Sequence, residues 1–207
     1  MRKKILIISP HTDDGELGCG GSIAKLIGED NQVDYVALSC CEKSVPSDYP
    51  PDILSKEVKA ATRILGIDSP ILLNFEVREF PRLRQEILDE LIRLRNKIRP
   101  DIVFAPSRYD THQDHKTTIE EVMRAFKNCT ILGYEQPWNN ITFNTLAFIP
   151  LDTDNVQKKI DALGCYKTQK DRSYMNAEFV RGLAITRGTQ IEEKYAEAFE
   201  VIKWVIK

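Results

Sequence analysis

Short apolar runs of strand length alternate with amphipathic segments of helical length along the first two thirds of the chain. The runs predict strands at residues 4–8, 33–39, 71–75, 102–105 and 130–134, and the segments predict helices at 17–27, 52–65, 82–98 and 117–126. A repeated strand–helix–strand order is satisfied by a parallel sheet with helices on both faces. We therefore predict an α/β fold with three layers (α/β/α) and a Rossmann-like, mostly parallel sheet.

The pattern loosens after residue 134. Residues 145–149 predict a further strand and residues 156–166 and 191–206 predict helices, whereas the polar stretch 167–188 favours no particular structure. The sequence contains no repeat, low-complexity tract or interdomain linker among its 207 residues. This length suits one domain, so we predict a single domain spanning residues 1–207.

The composition argues against several kinds of partner. The net charge of −2 disfavours nucleic-acid binding, which usually needs a basic face. Every apolar run is shorter than the ~18 residues expected of a membrane span. The apolar run after the basic start is also shorter than the ~7–15 residues of a signal peptide. The five cysteines include no C-x-x-C pair, so we expect largely buried thiols, a reducing compartment and a cytoplasmic protein.

All three histidines fall in two short acidic clusters. The clusters are His11-Thr12-Asp13-Asp14-Gly15-Glu16 and His112-Gln113-Asp114-His115. The first cluster follows the first predicted strand and the second follows the fourth. Ligand sites of open parallel sheets lie beyond the carboxyl ends of the strands. We therefore expect the two loops to meet and form one site.

The residue types of these loops indicate a metal site. Asp13 and Asp14 are adjacent and point in different directions, so one can hold a metal while the other acts on what the metal binds. If a helix begins at the second cluster, His112 and His115 lie on one face of it. His11, one aspartate and one of these histidines would supply three ligands and leave a fourth position for water, as in catalytic zinc sites. Iron, cobalt or nickel also fit this ligand set.

Other interpretations of these segments are structural or involve a nucleotide. Acidic residues stabilise the start of a helix, and the second cluster also fits a polar loop. Gly18-Cys19-Gly20-Gly21 with Ala24 matches a dinucleotide-binding pattern, with Glu42 about twenty residues further on. However, these glycines begin ten residues after Ile8, and the acidic turn before them would repel a pyrophosphate. We expect them instead to let the first helix pack closely on the sheet.

The two clusters resemble the LmbE/PIG-L family of zinc-dependent N-acetylglucosamine deacetylases. Residues 11–21 look most like the bacillithiol-pathway-like branch, in which one residue separates Asp-Asp from Glu and Gly-x-Gly-Gly follows. The second family motif, Asp-x-His-x-Asp-His, is matched by Asp110, His112, Asp114 and His115. Weaker matches are Glu57, Ala61 and Leu65-Gly66, the segment Tyr166-Lys167-Thr168-Gln169, and Tyr195-Ala196-Glu197-Ala198-Phe199. The resemblance therefore covers nearly the whole chain.

The resemblance implies a role for each matched residue. His11, Asp14 and His115 would hold one zinc ion per chain. Asp13 would act as the general base for a metal-activated water that attacks the amide carbonyl of an N-acetylglucosamine-type sugar conjugate. His112, oriented by Asp114, would stabilise the oxyanion or protonate the leaving amine.

The substrate pocket departs from the family pattern. Several relatives carry arginines where this chain has Leu54 and Thr111, and those arginines commonly face the conjugated group of the substrate. Lys56 and Arg108 are the nearby cations, so we predict that they bind the substrate instead. Alternative functions are an amidase acting on a non-sugar N-acyl compound and a dinucleotide-binding or non-catalytic module. The resemblance also implies a homo-oligomer, because relatives are often oligomeric.

Overall fold

The computed structural model describes residues 2–206, which form seven strands, six α-helices and two short 3-10 helices. The strands are β1 (Lys4–Ser9), β2 (Gln32–Ala37), β3 (Ile71–Leu72), β4 (Ile102–Pro106), β5 (Thr130–Tyr134), β6 (Ala147–Leu151) and β7 (Tyr195–Lys203). The helices are α1 (Asp14–Gly28), α2 (Ile53–Leu65), α3 (Arg84–Ile98), α4 (Gln113–Ala125), α5 (Thr153–Leu163) and α6 (Ala177–Thr189). The 3-10 helices span Glu42–Ser44 and Lys167–Gln169.

All seven strands belong to one sheet in the order β3-β2-β1-β4-β5-β7-β6. The first five strands in this order run parallel, and β7 pairs antiparallel with both β5 and β6. The predicted α/β fold with a mostly parallel sheet is therefore confirmed. Because β1 and β4 are parallel neighbours, the loops that follow them leave the same edge of the sheet side by side.

The core lies in two layers because alternate residues of each strand face opposite sides of the sheet. Ile5 and Ile7 of β1 pack against the helices α1, α2, α5 and α6. Leu6 and Ile8 pack on the other side, against α3 and α4. All four side chains are fully buried. This arrangement confirms the three-layer prediction and leaves the strand ends free for polar loops.

The prediction of a helix at residues 191–206 is wrong, because Tyr195–Lys203 forms strand β7. Alanine and glutamate favour a helix locally, and the apolar spacing there also fits one. Pairing with strands on both sides overrides that preference, which is the usual outcome where a strand is buried. The polar stretch at 167–188, for which the sequence favoured no structure, contains most of helix α6.

Helix α1 is interrupted at Cys19, whose φ of −147° and ψ of 25° are not helical. The carboxylate of Glu197 on β7 accepts hydrogen bonds from the amides of Gly21 (3.1 Å) and Ser22 (2.7 Å), just after the interruption. The same carboxylate pairs with Lys159 at 2.6 Å. A buried side chain from the last strand thus caps the second half of the first helix.

The prediction that the cysteine side chains are largely buried is confirmed: four are buried and Cys165 is half-buried. No helix in residues 2–206 combines the length and apolar character needed to cross a membrane.

Candidate active site

The loop after β1 is held by a serine and a tyrosine. Ser9 Oγ donates a hydrogen bond to the His11 carbonyl and accepts one from the Gly15 amide at 2.9 Å. The hydroxyl of Tyr35 donates to the Thr12 carbonyl at 3.0 Å. These bonds close a tight turn, so that α1 begins at Asp14 and the side chain of His11 faces its first residue.

The second histidine cluster opens a helix, which the sequence had left as a condition: α4 begins at Gln113, four residues before the predicted start at Thr117. His112 is the N-cap of α4, and its Nδ1 accepts a hydrogen bond from the Asp114 amide at 3.2 Å. Asp110 Oδ1 accepts one from the His112 amide at 2.8 Å. His112 and His115 therefore lie on one face of the helix, and both line the same cavity as His11.

Three potential ligand atoms form an equilateral triangle. Asp14 Oδ2 lies 3.2 Å from His11 Nδ1 and 3.2 Å from His115 Nε2, and the two nitrogens are also 3.2 Å apart. Two ligands of a tetrahedral zinc ion, each ~2.0–2.1 Å from the metal, are separated by about 3.4 Å. The triangle therefore has the size of one face of a metal coordination polyhedron. The three imidazoles also form a cluster able to hold a metal, with ligand atoms within 4.8 Å of one another.

In each histidine of the triangle, the outer ring nitrogen, which is the one that points away from the triangle, contacts a carboxylate. His11 Nε2 lies 2.9 Å from Asp114 Oδ2, and His115 Nδ1 lies 2.7 Å from Asp110 Oδ2. Such a carboxylate fixes the ring and its tautomer and leaves the inner nitrogen with a lone pair for a metal. The expectation that the Asp114 side chain orients His112 is therefore corrected. Its carboxylate contacts His11 instead, and only its backbone amide contacts His112.

The electrostatics of the triangle suit a cation. Burial lowers the pKa of His115, but Asp14 and Asp110 outweigh burial and raise it to about 10. Burial likewise opposes protonation of His11, yet hydrogen bonds to Asp114 and Asp14 raise its pKa. Both imidazoles are thus surrounded by negative charge that a divalent cation would neutralise in place of protons. The donor set of two imidazoles and one carboxylate fits zinc.

The adjacent aspartates have opposite surroundings. Burial would raise the pKa of Asp14, but the charges of His115 and His11 and their hydrogen bonds lower it well below its usual value. Asp14 also accepts hydrogen bonds from the His11 amide and from Gln136 Nε2, each at 2.8 Å. Burial, followed by the charge of Asp14, raises the pKa of Asp13 to about 6. No other side chain among residues 2–206 donates to Asp13, so its carboxylate is available to a molecule in the cavity.

His112 stays neutral beside the triangle. Burial and then the charges of His115 and His11 lower its pKa. Because Nδ1 accepts the Asp114 amide hydrogen, the ring proton of the neutral imidazole is on Nε2. His112 is therefore a hydrogen-bond donor on the wall of the cavity.

A buried carboxyl group behind the first loop was not assigned a role from the sequence. Glu16 is fully buried, and the hydroxyls of Tyr35 and Tyr166 both donate to it. Burial raises its pKa to about 8, against the effect of the Tyr35 hydrogen bond. The Tyr166 hydroxyl also lies 2.6 Å from the Thr12 carbonyl oxygen, so Glu16 and the two tyrosines support the turn that carries Asp13.

The weaker matches to the family have structural partners of their own. Glu57 on α2 accepts hydrogen bonds from the amide (3.1 Å) and the hydroxyl (2.7 Å) of Thr168. This contact fixes the 3-10 turn Lys167–Gln169 on α2, and Gln169 lines the cavity. The match at 195–199 contains Glu197, which caps α1. These segments therefore hold parts of the site in position without supplying an atom of the triangle.

The cavity above the triangle has a volume of about 300 Å³. Lys56 and Arg108 do not line it, which corrects the prediction that they bind the substrate. Lys56 pairs with Asp52 at 2.7 Å on an exposed surface, and Arg108 pairs with the buried Glu200 at 2.7 Å. The arginines that do line the cavity are Arg78 and Arg172. Leu54, which replaces a family arginine, is buried and forms part of the wall.

The glycines of the first helix serve packing. A Cβ on Gly18 would lie 2.3 Å from the ring of Tyr134, and one on Gly21 would lie 2.5 Å from Leu151. These glycines lie inside α1 and not in the turn that follows β1. The dinucleotide interpretation is thus not supported, because in that motif the glycines bring backbone amides of the turn to a pyrophosphate.

Comparison with known proteins identifies the family. A model named PIG-L and described as GlcNAc-PI de-N-acetylase matches residues 6–126. The chain belongs to the PIG-L family. The matched segment runs from β1 to the end of α4, and therefore contains both histidine loops.

Individual relatives extend the PIG-L match over the rest of the chain. An uncharacterized deacetylase, YaiS, of Escherichia coli strain K12 is 31% identical over 81% of this chain and 92% of its own length. A diacetylchitobiose deacetylase of Thermococcus kodakarensis is 34% identical over 97% of this chain and 83% of its own. The solved N,N'-diacetylchitobiose deacetylase of Pyrococcus horikoshii, in complex with an inhibitor, superposes with a TM-score of 0.80 and 26% identity, covering 97% and 84% of the two chains. This PIG-L protein is accordingly a hydrolytic deacetylase.

Proposed function

We propose that this protein is a zinc-dependent N-deacetylase that removes the acetyl group from an N-acetylglucosamine-type sugar conjugate. The observation that carries the proposal is the triangle of ligand atoms from His11, Asp14 and His115. Beside it lies the carboxylate of Asp13, which receives no hydrogen bond from another side chain within residues 2–206. Membership of the PIG-L family and the names of the two diacetylchitobiose deacetylases support the substrate class.

His11 Nδ1, Asp14 Oδ2 and His115 Nε2 would hold the zinc ion. A zinc ion bound at such a site supplies a Lewis acid and lowers the pKa of a coordinated water. Asp114 and Asp110 hold the outer nitrogens of the two histidines, so that the inner nitrogens aim at one point, where a zinc ion would replace their protons. We choose Asp14 over His112 as the third ligand because His112 Nδ1 already accepts the Asp114 amide hydrogen and the carboxylate of Asp14 contacts both other ligands.

Asp13 acts as the general base. Its raised pKa, about 6, makes it a better proton acceptor than an ordinary aspartate and leaves it ionised at neutral pH. Asp13 takes a proton from the attacking water and can later deliver it to the departing amine. The contrast with Asp14 follows the general pattern in which two neighbouring carboxyl groups take different roles because their surroundings separate their pKa values.

His112 donates a hydrogen bond to the acetyl oxygen. Its Nε2–H is fixed by the bond at Nδ1, so the donor needs no rearrangement when negative charge develops on that oxygen. Its lowered pKa keeps the ring in this neutral donor form. The N-terminus of α4 lies at the same position and adds a favourable dipole for the oxyanion.

The test combines metal analysis with acetate release. We expect about one zinc per purified chain, lost on chelation together with activity and restored by zinc. A panel of N-acetylated sugars, N-acyl amino acids and simple amides should show acetate release from the sugars. Activity on the non-sugar amides alone would favour the amidase alternative, and a protein without metal or hydrolytic activity would contradict the proposal.

A further inference from the structure

A third loop meets the two histidine loops and has no role in the proposed chemistry. We name residues 135–140 the β5 loop, because they follow strand β5. Since β5 runs parallel beside β4, this loop leaves the sheet at the same edge as the histidine loops. The Asn139 carbonyl accepts hydrogen bonds from the amide (3.1 Å) and the hydroxyl (3.0 Å) of Thr111. Asn140 forms an isolated β-bridge with Asp110, so the β5 loop is joined to the second histidine loop.

The side chain of Gln136 joins the β5 loop to the first histidine loop. Its Nε2 donates a hydrogen bond to Asp14 Oδ1 at 2.8 Å and lies 3.5 Å from the Asp14 carbonyl oxygen. Because an ionised carboxylate only accepts hydrogen bonds, the amide nitrogen of Gln136 must face Asp14. The amide oxygen then faces the Asn139 side chain, whose Nδ2 lies 3.5 Å away. Gln136 is only 1% exposed, so water does not compete for this contact.

The two oxygens of Asp14 consequently have different partners. Oδ2 accepts a hydrogen bond from the His11 amide and lies 3.2 Å from His11 Nδ1 and from His115 Nε2. Oδ1 receives the Gln136 amide instead. A carboxylate can bind a metal ion through one oxygen or through both. The hydrogen bond from Gln136 therefore leaves one oxygen of Asp14 for the triangle.

The backbone around Gln136 is fixed before any ligand is present. The Gln136 amide donates to Asn140 Oδ1 at 2.7 Å, and its carbonyl accepts hydrogen bonds from the amides of Asn139 and Asn140, each at 2.9 Å. The preceding Glu135 accepts a hydrogen bond from Arg187 Nε at 2.9 Å. A donor held on such a closed turn needs no rearrangement to orient the carboxylate that it contacts.

We propose that Gln136 is a positioning residue that keeps Asp14 a one-oxygen ligand and thereby sets the metal preference of the site. With Oδ1 bound to Gln136, three protein atoms hold the ion, which suits four-coordinate zinc with one position left for water. With Oδ1 free, a fourth protein oxygen becomes available, which suits manganese and other ions that prefer more oxygen ligands. This inference rests on the proposed function, because it concerns the metal of the same site. Gln136 does not line the catalytic cavity, so it acts through Asp14 and not on the substrate.

The first experiment compares metal affinities. Gln136→Leu removes the donor and keeps a side chain of similar size. The full chain is freed of metal by chelation and titrated with zinc or with manganese against a chromogenic chelator. We expect zinc affinity to fall ~10–100-fold and manganese affinity to stay or rise, so that the preference for zinc narrows. Gln85→Leu is the matched control, because Gln85 Nε2 also donates to an aspartate (Asp89) at 2.8 Å, on the exposed face of α3.

Cobalt reports the number of ligands directly. Four-coordinate cobalt absorbs visible light much more strongly than five- or six-coordinate cobalt, so its spectrum follows the coordination geometry without any turnover. We expect the cobalt-loaded Gln136→Leu protein to absorb clearly less per bound ion than the unmodified protein. Gln136→Met, which is unbranched and also lacks a donor, gives the same test if the leucine variant does not fold.

A different set of results would overturn the assignment. Equal losses of zinc and manganese affinity with an unchanged cobalt spectrum would mean that Gln136 only stabilises the loop. Unchanged affinities and spectrum would mean that it has no influence on the metal. If the unmodified protein binds no zinc and releases no acetate, the proposed function itself fails. If it binds zinc and is active but Gln136→Leu behaves like Gln85→Leu, only this inference fails.

Discussion

The two ends of the cavity are built in different ways. At the histidine end, His11, Asp14 and His115 each contact several polar groups whose positions are fixed by a strand end or a helix start. At the other end, Arg172 is exposed, and within residues 2–206 its side chain bonds only to Gln169 and Tyr174 of its own segment. A site that must hold a metal needs its donors fixed in advance. A cation that contacts none of the potential metal ligands has no such requirement.

The largest effect should follow from removing Asp14, one of the three potential metal ligands. In Asp14→Ala, the two histidines remain but the only anionic ligand is lost, so we expect zinc content to fall to background and activity to drop at least ~10²-fold. Elemental analysis and acetate release measure the two quantities. Asp68→Ala, an exposed aspartate far from the site in sequence, is the control and should change neither. Normal zinc in Asp14→Ala would mean that the three imidazoles form the metal site instead.

Asp13→Ala should separate catalysis from metal binding at the same end of the cavity. Loss of a general base reduces turnover by ~10²–10⁴-fold. Because Asp13 is not part of the triangle, we expect zinc content to be normal. A variant that loses both zinc and activity would show that Asp13, and not only Asp14, is a ligand.

The two carboxylates behind the histidines should differ in their tolerance of asparagine. Both oxygens of Asp110 accept hydrogen bonds, from the His112 amide and His115 Nδ1, so one must face a donor after Asp110→Asn. Asp114 uses only Oδ2, for His11 and the Arg78 amide, and Oδ1 has no partner within the described residues. Asp114→Asn can place its amide nitrogen at the Oδ1 position and keep the acceptor.

We therefore expect zinc affinity to fall ~10–100-fold in Asp110→Asn and clearly less in Asp114→Asn. Competition with a chromogenic chelator gives both affinities. An equal loss in the two variants would indicate that negative charge alone, and not hydrogen-bond geometry, sets the affinity.

The smallest effects should come from the cations outside the cavity. Arg108→Ala leaves the buried Glu200 without its guanidinium, so we expect a loss of about 1–2 kcal/mol of unfolding free energy with KM unchanged. Lys56→Ala removes an exposed ion pair, so neither stability nor KM should change measurably. Denaturant melts and substrate kinetics on the two variants test this. A rise in KM in either variant would indicate that the substituted residue does bind the substrate.

Residues that are organised by their immediate sequence could be predicted, and those organised by distant strands could not. The strand–helix alternation placed both histidine loops at one sheet edge, because each parallel strand is followed by its own helix. β7 could not be predicted, because its alanines and glutamates favour a helix until β5 and β6 pair with it. The histidine that contacts the Asp114 side chain could not be predicted either. His11 is 103 positions away in the sequence, whereas His112 is two positions away.

The substrate-facing cations show the same limit. Proximity in sequence suggested Lys56 and Arg108, but helix direction turns Lys56 toward Asp52 and a buried glutamate holds Arg108. Arg172 lies in the polar stretch for which the sequence favoured no structure. Its position depends on the contact between Glu57 and Thr168, which are 111 residues apart.

The capping of α1 by Glu197 has a consequence for the order of folding. The amides of Gly21 and Ser22 donate to the Glu197 carboxylate, which lies 176 and 175 residues later in the chain. Contacts of such separation form late, since a long loop must close before they contribute. During synthesis, the helix that begins with Asp14 would leave the ribosome long before its cap does, with two amides exposed or bound to water. The second half of α1 should therefore be among the last parts of the fold to become stable.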